Sequence, residues 1–277
     1  MPDAPAPTPS IPHDQYEALA PLYDLLIPDP PGMNAFYLDA AARFGVRGPI
    51  LEVGAGTGRL TVELAAAGHE VIAFDLSRPM LGVLDHKRGR MPAEQAARIH
   101  LVVGDQAELE LPAPHARARF EMIASPGGTL QHVTSIDELD HILLTHARRL
   151  APGGILVADL AGTPVLQREG RYQERYPDSS LAKLSARWTT VESWNESIFD
   201  PTTGTTETTC YFHMRGPAGE PTDELAFPFR YTYVSPQDLR GSLERAGLEV
   251  LELHGDFRGA PPAERGGDLV TIARMPR

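Results

Sequence analysis

Ile50-Leu51-Glu52-Val53-Gly54-Ala55-Gly56-Thr57-Gly58-Arg59-Leu60 carries the signals that set the fold. The apolar run over residues 49–53 reads as a buried strand. Glycines follow at positions 54, 56 and 58, and residues 59–67 carry a helical pattern that stops at Gly68. The glycines therefore occupy a strand-to-helix turn. Without Cβ atoms they can adopt unusual backbone angles and let a ligand touch the main chain. The helix N-terminus just beyond offers free N–H groups and a positive dipole end. A dinucleotide fingerprint needs Gly-x-Gly-x-x-Gly. Here the third glycine comes one residue early, and Arg59 stands where the fingerprint wants it.

Working outward, residues 70–74 read as a second buried strand that ends at Asp75-Leu76-Ser77. Asp75 lies about twenty residues past the glycines, where a carboxylate meets a ribose in such turns. A carboxylate can accept two hydroxyl hydrogen bonds at once, which suits a 2′,3′-diol. Pro79 opens the next helix, and Met80 can lie against an adenine face or simply pack. Residues 99–103 are a third strand, followed by Gly104-Asp105-Gln106, and residues 109–117 read as a loop. Residues 120–124 are a fourth strand, leading into Ser125-Pro126-Gly127-Gly128-Thr129-Leu130-Gln131-His132. In an open α/β sheet ligands bind beyond the carboxyl ends of the strands, so this loop faces the site. His132 can take a proton near neutrality, or it can brace the next helix.

Ser135 and Glu138 predict a capping box, and residues 155–159 predict a fifth strand. Strands alternating with helices imply parallel βαβ units in a doubly wound sheet. Residues 163–182 are charged and turn-rich. Residues 186–233 then alternate with period two, broken at 200–204 and 216–219, which predicts antiparallel hairpins. Ser235-Pro236 starts a last long helix, and residues 249–253 and 269–274 are closing strands. Before the glycine turn, residues 1–13 form a Pro-rich arm expected to be disordered. Residues 14–26 read as a helix that Pro21 should kink or split, and residues 34–44 as a second helix.

The turn with its preceding acid, joined to Asp75, Asp105 and the loop after the fourth strand, resembles motif I and its partners in the class I S-adenosylmethionine methyltransferases. The likeness spans residues 14–162 and 235–277. It implies an α/β Rossmann-like seven-stranded sheet with S-adenosyl-L-methionine as cofactor. By that resemblance Glu52, Gly54, Ala55, Gly56, Gly58, Asp75, Leu76, Met80, Asp105, Gln106 and Ser125 would hold the cofactor, with Asp105 meeting the adenine amino group. Tyr23-Asp24 is similar to an N-terminal pair of the glycine N-methyltransferase-like, small-molecule type, and the Phe229–Tyr233 run fits that group too. Tyr23 and His132 are then the catalytic candidates, although Tyr23 reads equally well as core, and Tyr16 reads as core. Residues 163–234 would be an inserted antiparallel lid over the acceptor. The Pro126-Gly127-Gly128 loop is stiffer than the usual pattern, a departure that bears on His132.

The expected activity is methyl transfer to N, O or C of a small-molecule acceptor. Non-methylating chemistry on the same fold, such as cyclisation, and a non-catalytic binding protein stay open at this point. A net charge of −12 argues against a nucleic-acid backbone as partner. No apolar run approaches membrane-spanning length, and the N-terminus lacks the features of a signal peptide. Cys210 stands alone, which points to a reducing, cytoplasmic setting. The histidines are scattered without metal-ligand spacing, so no metal is expected. Homodimerisation is left open.

Overall fold

The computed structural model describes residues 13–162, the backbone of 170–180, and residues 188–277. The arm expected over residues 1–13 falls outside them apart from His13. Residues 13–19 form bends and turns, a 3-10 turn spans Ala20–Leu22, and helix α1 covers Tyr23–Leu26. Pro21 thus splits the helix that the apolar spacing predicts, because its ring cannot sit inside a continuous turn ladder. Next come α2 (Met33–Arg43), β1 (Ile50–Val53), α3 (Arg59–Ala66), β2 (Val71–Asp75), α4 (Arg78–Arg88), α5 (Ala93–Ala96) and β3 (Ile99–Val103). They are followed by β4 (Phe120–Ser125), α6 (Ile136–Arg149) and β5 (Leu150–Leu160). After the second sheet, α7 (Pro236–Arg245) and the closing strands over Glu249–His254 and Leu269–Arg274 return to the core.

The larger sheet has seven strands. From one edge these are the Glu249–His254 strand, the Leu269–Arg274 strand, β5, β4, β1, β2 and β3. Strands β1 to β5 are mutually parallel, and Leu269–Arg274 runs antiparallel to both its neighbours. β1 lies between β2 and β4, so the chain reverses its winding there and leaves a crevice beyond the strand ends. Alternation along β1 divides the core. Leu51 and Val53 join Ile72, Phe74 and Ile123 beneath Leu139 and Leu143 of α6 and Leu239 of α7. Ile50 joins Val71, Met122 and Ile155 beneath Tyr37 of α2 and Leu60 and Leu64 of α3. Each fully buried Leu, Ile or Phe of these layers contributes roughly 1.5–3 kcal/mol.

Two local expectations are revised. Ser135 Oγ accepts the Glu138 N–H, but the Glu138 carboxylate accepts from Thr134 N and Oγ1. Only half of the predicted box forms, because Thr134 offers two donors one residue earlier. The reciprocal box occurs at α7, between Ser235 and Asp238.

The smaller sheet is antiparallel, in the order β6 (Gly170–Ser180), β7 (Thr190–Asp200), β8 (Thr205–Arg215) and β9 (Pro221–Thr232). Its first strand lies in the stretch read as charged and turn-rich. It is an edge strand with a register shift between Tyr176 and Ser179, where Pro177 sits. Edge position and a bulge are where a sheet tolerates proline, and they hide the alternation that marks an inner strand. Val191, Phe212, Met214 and Phe227 of this sheet pack with Leu19, Tyr16 and Tyr23 of the N-terminal segment. Among the described residues no helix is long and apolar enough to cross a membrane.

Candidate active site

A cavity of about 440 Å³ opens beyond β1 and β4, within the range of small-molecule sites. Its floor is the glycine turn. Gly54 N and Ala55 N both donate to Phe74 O, at 2.8 and 3.1 Å, which ties the turn to the end of β2. The three glycines are needed for three different reasons. A Cβ on Gly54 would lie 2.0 Å from Thr129 Oγ1, and one on Gly58 would lie 2.2 Å from Leu84 Cδ1. These two let the β4 loop and α4 pack against the turn. Gly56 (φ +56°) meets only the tip of Met80 and presents its backbone to the cavity. Gly58 does not line the cavity, and neither does Ser125, which is fully buried and accepts the Tyr37 hydroxyl at its carbonyl.

Asp75, at the end of β2, accepts from Gly56 N at 2.7 Å through Oδ2 and from Ser77 N at 2.7 Å through Oδ1. Burial raises its pKa to about 6, against the pull of those two N–H groups. Glu52 faces α3. Its Oε2 accepts the Thr61 hydroxyl at 2.6 Å, while Oε1 is buried with no partner among the described residues. Burial pushes its pKa to about 8, opposed by the Thr61 bond and aided by the Asp75 charge. Gln106 donates to Thr129 O at 3.1 Å, and its buried Oε1 is likewise without a partner among the described residues. Asp105 accepts from Ala107 N at 2.8 Å. Ala55, Leu76 and Met80 complete this side of the lining.

The opposite side is assembled at the seam between the two sheets. His132 Nδ1 lies 3.2 Å from Arg230 O of β9, so that nitrogen carries the proton. Nε2 therefore accepts the Tyr16 hydroxyl, at 3.0 Å. Burial lowers the His132 pKa, opposed by the Arg230 carbonyl, and keeps the imidazole neutral. Burial also raises the Tyr16 pKa well above its usual value, so Tyr16 remains a phenol. Phe227 lies 5.2 Å from the Tyr16 ring, and Gln15 Oε1 accepts Arg230 N at 2.5 Å. Tyr23 lines the cavity with its ring 4.6 Å from the Arg59 guanidinium. Its ring lies 5.9 Å from that of Tyr16, edge to face.

Sequence reasoning passed over several groups here. The helical spacing marks Tyr16 as core, and its ring does pack there, but its hydroxyl also meets His132. Arg59 binds Asp24 at 3.1 Å, Asp29 at 2.5 Å, and the Tyr23 and Ile27 carbonyls. Asp24 also takes Thr57 Oγ1 at 2.7 Å and Lys87 at 2.7 Å. Burial alone would raise its pKa, but the Lys87, Thr57 and Arg59 contacts win and lower it. Asp159, at the end of β5, accepts the Tyr37 hydroxyl at 2.7 Å and Gly127 N at 3.0 Å, fixing the loop after β4. Tyr16 and Asp159 lie 116 and 32 residues from the partners they meet, so no local motif marks them.

A family profile described as a methyltransferase domain matches residues 50–154. The chain is similar to the cypemycin N-terminal methyltransferase of a Streptomyces species, 26% identical over 227 residues, covering 80% of this chain and 81% of that protein. It is similar in structure to the CcbJ methyltransferase from Streptomyces caelestis, with a TM-score of 0.77, 26% identity, and coverage of 95% and 98% of the two chains. The fold is also shared with CalS10, an amino pentose methyltransferase from Micromonospora echinaspora, at a TM-score of 0.65, 20% identity, and coverage of 87% and 91%. With the glycine turn and seven-stranded order described above, these likenesses show a methyltransferase domain over residues 50–154 and a resemblance over most of the chain to S-adenosylmethionine-dependent methyltransferases.

Proposed function

We propose that the acceptor is an amine on a small natural-product molecule and that the product is its N-methyl derivative. The carrying observation is the hydrogen-bonded chain Tyr16–His132–Arg230 O on the acceptor side of a carboxylate-rich cavity. Asp14, Asp29, Asp75, Asp105 and Asp159 all line it, whereas Arg59 is the only Lys or Arg among the described lining residues. Such a lining draws in a cation, which an amine is near neutrality and a hydroxyl is not. The relative named as an N-terminal methyltransferase acts on an amine by its name and supports the same class.

The residues present fit the cofactor. The unpartnered Glu52 Oε1 is a buried acceptor suited to an ammonium group, Asp75 to a ribose diol, and Met80 with Asp105 to an adenine face and edge. Gly56 leaves the backbone open to the amino-acid part, with Ala55 and Leu76 beside it. When bound, S-adenosylmethionine supplies a methyl group already activated on sulfur. The chain's own task is then to hold the amine in line, where positioning can supply about 7–11 kcal/mol. The amine must also shed a proton. In our reading the Tyr16 oxygen takes it as the Tyr16 proton passes to His132 Nε2, and the Arg230 carbonyl stabilises the resulting imidazolium through Nδ1–H. Tyr23 orients the acceptor from the N-terminal segment, and residues 163–234 act as the lid that shapes its pocket. The setting is the cytoplasm.

The test is a turnover assay with S-adenosylmethionine and matched panels of amines and their hydroxyl analogues, read by mass spectrometry. Methylation of amines with the hydroxyl analogues inert is the expected result. Preferential methylation of hydroxyls or of carbon would overturn the amine assignment.

A further inference from the structure

Away from the cavity, the outer edge of the larger sheet gathers three metal-ligating side chains from three separate segments. Glu70 precedes β2, His100 lies on β3, and His115 belongs to a 3-10 turn over His115–Arg117. β2 and β3 pair in parallel with Ile72 opposite His100. Glu70 stands two residues before Ile72 and so shares its face. His100 Nε2 lies 3.1 Å from Glu70 Oε1. Leu109 and Leu111 are buried in one cluster with Ile72, Phe74 and Val102, which lays the following segment over the same face. His115 is then set by two backbone bonds, His115 N to Pro112 O at 2.8 Å and Ala118 N to His115 O at 2.9 Å. Its ring centroid lies 5.5 Å from that of His100. One ligand atom from each residue lies within 4.8 Å of the other two.

We infer that Glu70, His100 and His115 form a binding site for a divalent transition ion of the zinc class. A tetrahedral ion at ordinary bond lengths holds its ligand atoms on the order of 3.3–3.6 Å apart. Two imidazoles with one carboxylate suit zinc, copper or nickel and disfavour magnesium or calcium, which prefer all-oxygen shells. The Glu70 side chain is exposed and the two histidines are partly buried, so the ion has a path in and water can fill the fourth position. None of the three lines the cofactor cavity. The ion would instead tie the segment after Gly104 to the edge strand β3. That segment begins with Asp105 and Gln106, so the tie reaches one wall of the cavity. The spacing of 30 and 15 residues between the ligands explains why no sequence motif announces them.

The test is calorimetry of untagged full-length protein with ZnCl₂, beside His100→Asn, His115→Asn and the double variant. Retained S-adenosylhomocysteine binding shows that each variant is folded. The wild type should bind one equivalent and melt at higher temperature with zinc. Each single variant should lose about ten-fold or more in zinc affinity, since losing a ligand costs at least as much as losing a group that orients one. Magnesium should give no saturable heat. Absence of saturable zinc binding in the wild type, or equal affinity in the double variant, would overturn the site, as would magnesium binding as tightly as zinc.

Discussion

On the cofactor side of the cavity, Glu52 Oε1 and Gln106 Oε1 are buried with no partner among the described residues, and two acids are held with raised pKa values. On the acceptor side, the Tyr16 hydroxyl and both His132 nitrogens are matched within the protein. An unpaired buried acceptor costs about 1–3 kcal/mol. The first half is therefore strained until a ligand supplies donors. The second half is already satisfied, and on the proposed mechanism it hands its hydrogen bonds over during reaction. On the proposed function, one half holds binding energy for the cofactor and the other holds a proton path.

The largest expected effect breaks the second half. His132→Asn keeps polarity but cannot accept a proton near neutrality, so turnover should fall by about 10²–10⁴-fold while S-adenosylhomocysteine affinity holds. On the proposed mechanism His132 acts in its neutral form, so wild-type activity should fall as pH drops through its pKa. Burial sets that fall below the ordinary value of about 6.5. Steady-state rates across pH check this, and the limb should vanish in the variant. Tyr16→Phe should lower turnover in the same direction. A loss of only a few-fold would reduce Tyr16 to a brace.

Next in size is the cost of the orphaned acid. The Glu52 pKa rises from 4.5 to about 8 in the folded chain, so folding is favoured by its protonated form. That contribution is complete below pH 4.5 and is lost as pH climbs to about 8. Glu52→Gln removes this loss. Without cofactor, the variant should melt above the wild type by a margin that grows from pH 5 to pH 8, on the order of a few kcal/mol at the top. It should also bind S-adenosylhomocysteine more weakly. A margin independent of pH would show that Glu52 is not protonated in the fold.

A smaller effect is expected at Asp75, whose replacement by Ala should weaken S-adenosylhomocysteine binding by roughly 1.5–3 kcal/mol, read by calorimetry. Its turnover at saturating cofactor should stay near that of the wild type. Smallest is Arg59→Lys, which keeps the charge but loses the planar fork that reaches Asp24 and Asp29 together. A cofactor affinity change of about 1 kcal/mol or less is expected, since these pairs are partly exposed, with a rise in acceptor KM.

The unequal legibility of the sequence follows the same division. The cofactor half rests on residues 52–58 and on strand ends at Asp75 and Asp105, where chemistry and local fold share one short stretch. A glycine turn, a strand and an acid can be read there without knowing the rest. Even so, the separate duties of Gly54 and Gly58 were invisible, because Thr129 and Leu84 come from other segments. The acceptor half depends on where β9 lies against the loop after β4. His132 could be nominated from its place behind a strand, but Tyr16 could not be told from an apolar helix face. The Gly170–Ser180 strand was unreadable because an edge strand with proline and charges carries no alternation.

The Arg59 clasp has a consequence for timing. Residues 13–16, Tyr23 and residues 27–30 form part of the cavity wall, and Arg59, Thr57 and Lys87 fasten that wall through Asp24 and Asp29. The same helix start that frames the ligand thus also bolts the door behind it. Our hypothesis is that spent cofactor leaves only after the bolt slips, so that the exit step sets the pace of each cycle. Salt screens half-exposed ion pairs. Stopped-flow release of S-adenosylhomocysteine should therefore quicken with added KCl in the wild type and be faster, with little salt response, in Asp24→Asn. Release that ignores salt in both would leave the doorway unbolted and place the slow step elsewhere.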